Sequence, residues 1–294
     1  MRIILSIIII AVSAMLTSCE KDLKPDPVSF NVTTTENDYQ AGDTVNFSFS
    51  GNPDMIMFYS GEPGSVYDFK GRTSADGMSQ MQFTSYVQAG TQTGSLALLV
   101  SADFDGTYSG TGISAATWTD ITSQATLSTG DNNTPSGIID LSSFVNDDKP
   151  VYFAFKYTGK TGSVQNTWTI KNFGINLVMP DGSTFATANM TTAGWKAVNV
   201  KNPSKAWAIS ASQLQIAGGD ENAEDNEDWL ITAPLVLNKV NPDRGVPIKD
   251  ISILLDEFSY IYSTPGKYKA VFEAFNAAGT TQKSAQREIE ITIR

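Results

Sequence analysis

Apolar residues recur at every second position along most of this chain, and that period decides the fold class. Val28, Phe30 and Val32 alternate with polar residues, as do Val45, Phe47 and Phe49, and Ile289, Ile291 and Ile293. A period of two lines one face of an extended strand, whereas a helix needs apolar residues three and four apart. Val151 to Tyr157 reads as a longer strand, apolar on one face and mixed on the other. Ala41-Gly42-Asp43, Gly51-Asn52-Pro53, Pro180-Asp181-Gly182 and Thr264-Pro265-Gly266 interrupt the apolar runs as turns. No stretch carries a convincing helical period. Leu254-Leu255-Asp256-Glu257-Phe258 fits either period, and its β-branched neighbours favour a strand. Roughly sixteen short strands predict an all-β chain built as two β-sandwiches rather than one. The length of 294 residues also suits two domains.

Composition narrows the chemistry. The chain has no histidine and a single cysteine, Cys19. That excludes Ser-His-Asp and Cys-His catalysis, imidazole metal sites and an internal disulfide. Carboxylates, lysines, hydroxyls and aromatics are left. The formal charge of −11 argues against a nucleic-acid or anionic-membrane binder, because both need clustered Lys and Arg.

The cysteine has a context. Met1-Arg2 gives a positive start, and Ile3 to Leu16 is an apolar run broken only by Ser6 and Ser13. Such a run is the core of a signal peptide, residues 1–18, and is short for a membrane span. Leu16-Thr17-Ser18-Cys19 resembles the bacterial lipobox, which implies that Cys19 is the lipidation site and the one membrane attachment. The alternative is a plain signal peptide with an incidental cysteine. Glu20-Lys21-Asp22 resembles the surface-export signal of Bacteroidota lipoproteins, which implies an outer-membrane lipoprotein displayed outside the cell. Residues 19–27 then read as a lipidated tether, with Lys24-Pro25-Asp26-Pro27 stiff and extended because proline fixes φ.

The two ends of the body point to one interrupted domain. From Tyr260 through Pro265-Gly266 and Tyr268 to Asn276, the chain resembles the second half of a PKD-type, immunoglobulin-like domain. The first half is missing just upstream but is present at the front, from Val28 through the strand Met55 to Tyr59 and the turn Ser60-Gly61-Glu62-Pro63-Gly64. The expectation is a discontinuous domain, 28–72 plus 245–294, with a second domain, 73–244, inserted in a loop. Three consecutive modules are the alternative. Within the insert, Leu98 to Gly106, Ala116 to Ile121, Val151 to Tyr157 and Thr167 to Asn172 resemble choice-of-anchor jelly rolls, related in shape to carbohydrate-binding modules. Asp228 to Pro234 belongs to the same pattern but stands at its end, which implies a circular permutation. As a whole the chain resembles an uncharacterised lipoprotein family of Bacteroidota, whose members commonly accompany glycan-uptake systems.

Candidate site residues follow from ligand chemistry. Sugars stack flat C–H faces on Trp and Tyr. Trp118, Trp168 and Trp229 lie on pattern strands and read as core. Trp195 and Trp207 have lysine neighbours, read as partly exposed, and are the candidate binding platforms, with Tyr108 in a Gly-rich loop beside them; Tyr59 reads as an anchor of the immunoglobulin-like domain. Asp103 and Asp105 in one acidic turn, and Asp225 and Asp228 in the acidic run 220–228, are candidate calcium ligands, since hard cations take clustered oxygens. Solvated acidic loops are the alternative. No cofactor is required; a structural calcium is the one candidate.

No glycosidase signature selects a pair among 31 carboxylates. The expectation is therefore a non-catalytic surface protein, not an enzyme, that holds a polysaccharide or oligosaccharide beside other glycan-uptake surface proteins. A structural or protein-interaction component of a surface assembly is the alternative, and a carboxylate-based glycan hydrolase a distant third.

Overall fold

The structure is a computed structural model that describes residues 24–146 and 149–294. The signal peptide, Cys19 and the Glu20-Lys21-Asp22 signal lie outside the described residues. The described chain is nearly all β, with twenty strands, and its sheets pack as sandwiches. It divides into two compact units: the part up to Gly71 with Pro242–Arg294, and Arg72–Asn241.

In chain order the first unit holds β1 (Phe30–Thr33), β2 (Asp38–Tyr39), β3 (Thr44–Gly51) and β4 (Met55–Tyr59), and the second holds β5 (Met78–Gln88), β6 (Leu96–Ser101), β7 (Thr119–Asp120), β8 (Thr134–Pro135), β9 (Ile139–Asp140), β10 (Tyr152–Gly159), β11 (Thr167–Val178), β12 (Thr184–Asn189), β13 (Lys196–Lys201), β14 (Ala208–Ile209), β15 (Leu214–Ile216) and β16 (Asn226–Ile231). The first unit resumes with β17 (Val246–Lys249), β18 (Glu257–Ile261), β19 (Gly266–Ala278) and β20 (Thr281–Ile293).

Each sheet of the first unit draws strands from both ends of the chain. One sheet runs β1-β3-β18 and the other β17-β4-β19-β20-β2. The alternation read along Val45, Phe47 and Phe49 places Val45 and Phe47 wholly inside, against Phe58 and Phe272 of the facing sheet. Tyr262 is buried too, and its hydroxyl donates to the Ser60 carbonyl at 2.9 Å. Gly51, at φ +88°, closes β3; a Cβ there would sit 2.3 Å from the Ser29 carbonyl oxygen, so no other residue fits. Leu254 to Asp256 is loop rather than strand, and β18 begins at Glu257. Leu255 alone of that run packs on the core, while Leu254 is 68% exposed, so the run never settles into a ladder. Pro25 is buried, and the Asn276 amide donates to the carbonyls of Asp26 and Pro27. The end of the expected tether is therefore bound to the unit.

In the second unit a five-stranded sheet, β13-β16-β10-β6-β7, faces a seven-stranded sheet with the path β14-β15-β11-β5-β8, on which β12 joins β11 and β9 joins β5. Leu98, Phe155 and Leu230 stand opposite one another across β6, β10 and β16, and all three are buried between the sheets. Phe83 meets Phe155 edge-on from the other sheet, with ring centres 5.2 Å apart. One short helix, α1 (Gly110–Ala115), interrupts the β pattern; the Ser109 hydroxyl accepts from the Gly112 N–H and caps it.

Candidate binding cleft

Where the loop between β5 and β6 crosses from one sheet of the second unit to the other, it leaves a cleft of about 420 Å³. Trp168, Leu96, Leu127 and Val87 supply its apolar floor, and Thr91, Thr93, Ser95, Thr129, Gln92 and Asn166 surround it with hydroxyls and amides. No Asp, Glu, Lys or Arg lines it. That volume lies within the range of small-molecule sites, and a mostly apolar wall with a few convergent polar groups is their usual make-up.

The cleft is braced from beneath. Ser95 Oγ accepts from Trp168 Nε1 at 2.9 Å and from Asn166 Nδ2 at 2.7 Å, which leaves its own O–H for a further acceptor. The Gln92 backbone N–H donates to Asn166 Oδ1, and Asn166 Nδ2 returns a bond to the Gln92 carbonyl at 2.6 Å. Gln92 Nε2 donates to the carbonyls of Lys160 and Ser163, while its Oε1 accepts from the Lys160 N–H at 2.9 Å. The rim is strained as well: Ala89 sits at φ +72° without being glycine. Gly90 has no alternative, because a Cβ there would lie 2.4 Å from the Asn166 nitrogen. A pre-set rim loses little freedom when a ligand arrives.

The tryptophans proposed as platforms are elsewhere. Trp195 is 7% and Trp207 5% exposed, and both rings pack on Phe155 inside the core. Each ring lies just ahead of a short strand, Trp195 before β13 and Trp207 before β14, and Lys196 beside Trp195 is exposed although the ring is not. Neither ring offers a face to a sugar, which corrects the expectation of partial exposure. Tyr108 is half-buried and structural: its hydroxyl donates to the Thr232 carbonyl at 2.9 Å and its ring meets Phe104 edge-on. With Phe104, Ile113, Trp118, Tyr152 and Trp229 it forms a second apolar cluster, which covers the outer face of the five-stranded sheet. Tyr59 lies buried in the first unit, its ring edge-on to Tyr67.

The four candidate calcium ligands are not brought together. Asp103 accepts from the Thr117 N–H and the Ser101 hydroxyl, and Asp105 from the Thr107 N–H; these bonds hold both carboxyls below the usual carboxylate range. Asp225 accepts from the Thr161 N–H and pairs with Lys160, which also lowers it. Asp228 is different. It is 1% exposed on β16, it accepts from Asn199 Nδ2 at 2.8 Å, and burial raises its carboxyl to about 7. Among the described residues no three acidic, histidine or cysteine side chains converge. In the acidic turn, Oδ1 of Asp103 and Oδ1 of Asp105 are the atoms that accept these bonds.

The cleft itself is missing from the sequence reading. Its one local signal is Gly90-Thr91-Gln92-Thr93-Gly94-Ser95, a run of small polar residues between two strands, and its floor residue Trp168 reads as core. No curated protein matches the chain in sequence. The model of a family described as a domain of unknown function, DUF5017, matches residues 18–195, which is more than half of the chain and includes every residue lining the cleft, and the chain belongs to that family.

Proposed function

We propose that this chain is a non-catalytic glycan-binding lipoprotein of the outer membrane, of the Bacteroidota kind, anchored at Cys19 and facing outward beside other glycan-uptake proteins. The first unit serves as a PKD-like support, and the jelly-roll-like second unit holds the ligand in the cleft over Trp168. One observation carries the reading: the cleft is lined by apolar, hydroxyl and amide groups with no ionisable side chain. A neutral, hydroxyl-rich ligand matches such a wall. Glycoside hydrolysis needs two carboxyl groups flanking the scissile bond, and the cleft wall supplies neither.

Affinity electrophoresis through gels loaded with neutral and with acidic polysaccharides tests the reading. Retardation by at least one neutral glycan is expected, and it should weaken in Gln92→Ala while the melting temperature changes little. Absence of retardation by every neutral glycan would overturn glycan binding and leave the surface-assembly role. Release of reducing sugar by the purified chain would overturn the non-catalytic part.

A further inference from the structure

The loop between β17 and β18 in the first unit turns three large aliphatic side chains into solvent: Ile251 at 79% exposure, Leu254 at 68% and Ile253 at 48%. The loop is shaped to do so. Asp250 Oδ1 accepts from both the N–H and the hydroxyl of Ser252, the Ile253 N–H donates to the Asp250 carbonyl, and Leu255 packs into the core as the loop's anchor. Exposed aliphatics on a pinned turn invite a partner, because single scattered ones are ordinary and a cluster is not.

The position of the loop indicates which partner. Lys249, just before it, pairs with Ile56 beside the start of β4, and the Asp256 carbonyl, at its end, accepts from the Phe49 N–H near the end of β3. The loop therefore borders the turn between β3 and β4. Asn276 joins that same turn to the start of the chain, because its Oδ1 accepts from the Asp54 N–H while its Nδ2 donates to Asp26 and Pro27. Ile251, Ile253 and Leu254 thus share one end of the unit with the point where the N-terminal segment departs. Cys19 precedes Lys24 by five residues, which span at most about 18 Å fully extended.

We infer that the loop 250–256 is a membrane contact, whose three aliphatic side chains enter the surface of the bilayer to which Cys19 is tethered and hold the first unit end-on against it. The inference rests on the lipid-anchor reading above. Its occupant is a lipid surface recognised by apolar insertion rather than by charge, since Asp250 and Asp256 flank the loop and the chain is acidic. The contact supplements an acyl anchor, as stable attachment takes more than one signal.

The test supplies the anchor chemically, so that it does not depend on lipidation. The mature chain carries a hexahistidine tag in place of Cys19 and binds phosphatidylcholine vesicles containing a nickel-chelating lipid. The chain has no histidine of its own and, without Cys19, no cysteine, so an Ile251→Cys variant takes one environment-sensitive dye. A blue shift on vesicle binding, quenching by nitroxide lipids and insensitivity to salt are expected. A dye at Ser263→Cys, beyond the other end of β18, should show neither the blue shift nor the quenching. A combined Ile251→Ser, Ile253→Ser and Leu254→Ser variant should melt like the parent, and hydrogen exchange of its loop should no longer slow on vesicles. An Ile251 dye that stays solvated on vesicle-bound protein would overturn the inference, as would self-association in solution that the triple variant abolishes. The mass of the N-terminal peptide from cells decides the lipidation reading separately.

Discussion

At the residue scale, burial decides what each candidate side chain can do. Trp195 and Trp207 fill the core, so Trp195→Ala should cost about 3–5 kcal/mol of stability. Denaturant unfolding checks this, and Trp195→Phe should recover most of the loss. Asp228 makes a second prediction. Its folded pKa of about 7 lies above the ordinary carboxylate value, so between the two the folded state binds the extra proton. Its contribution to stability is complete below about pH 4 and is lost as pH rises through 7, a decline on the order of a few kcal/mol. Unfolding free energies measured from pH 4 to 8 should show that fall, and Asp228→Asn should flatten it. Neither property was legible beforehand. A tryptophan beside lysine reads as exposed, and an aspartate in an acidic run reads as solvated, until what packs against each side chain is known.

At the element scale, the loop between β5 and β6 is the working part of the second unit. Gln92 ties it to residues 160–163 through both side-chain atoms, so it behaves as a fixed rim. Gln92→Ala should weaken glycan binding about tenfold, near 1.4 kcal/mol, through lost order of the rim rather than a lost contact. Titration calorimetry should register the change chiefly as a less favourable entropy. Gly90→Ala should act more harshly, because the added Cβ meets the Asn166 backbone, and should lower both stability and affinity. The strands around this loop were visible as alternation: β10 occupies Tyr152–Gly159 and overlaps the run read from Val151 to Tyr157. Alternation says which residues share a face. It does not say which two sheets a loop joins or what space it encloses.

At the scale of the whole molecule, the order of strands matters more than their number. Because β3 pairs with β18 and β4 with β19, the first unit cannot close without the last part of the chain. Truncation before Glu257 should therefore leave that unit unfolded while residues 72–241 still melt cooperatively. Differential scanning calorimetry of the full chain should resolve two transitions, of which the truncation removes one. The sequence by itself determined the all-β class, the alternating inner faces and the absence of histidine chemistry and of an internal disulfide, because period-two patterning and composition are local properties. Tertiary structure alone decided that Trp195 and Trp207 are core, that Asp103 and Asp225 accept from the backbone of Thr117 and Thr161, and that a neutral cleft opens beside Trp168. Those outcomes depend on what residues far apart in the chain place against each side chain, and a strand's own pattern is the same whether its partner covers it or leaves it open.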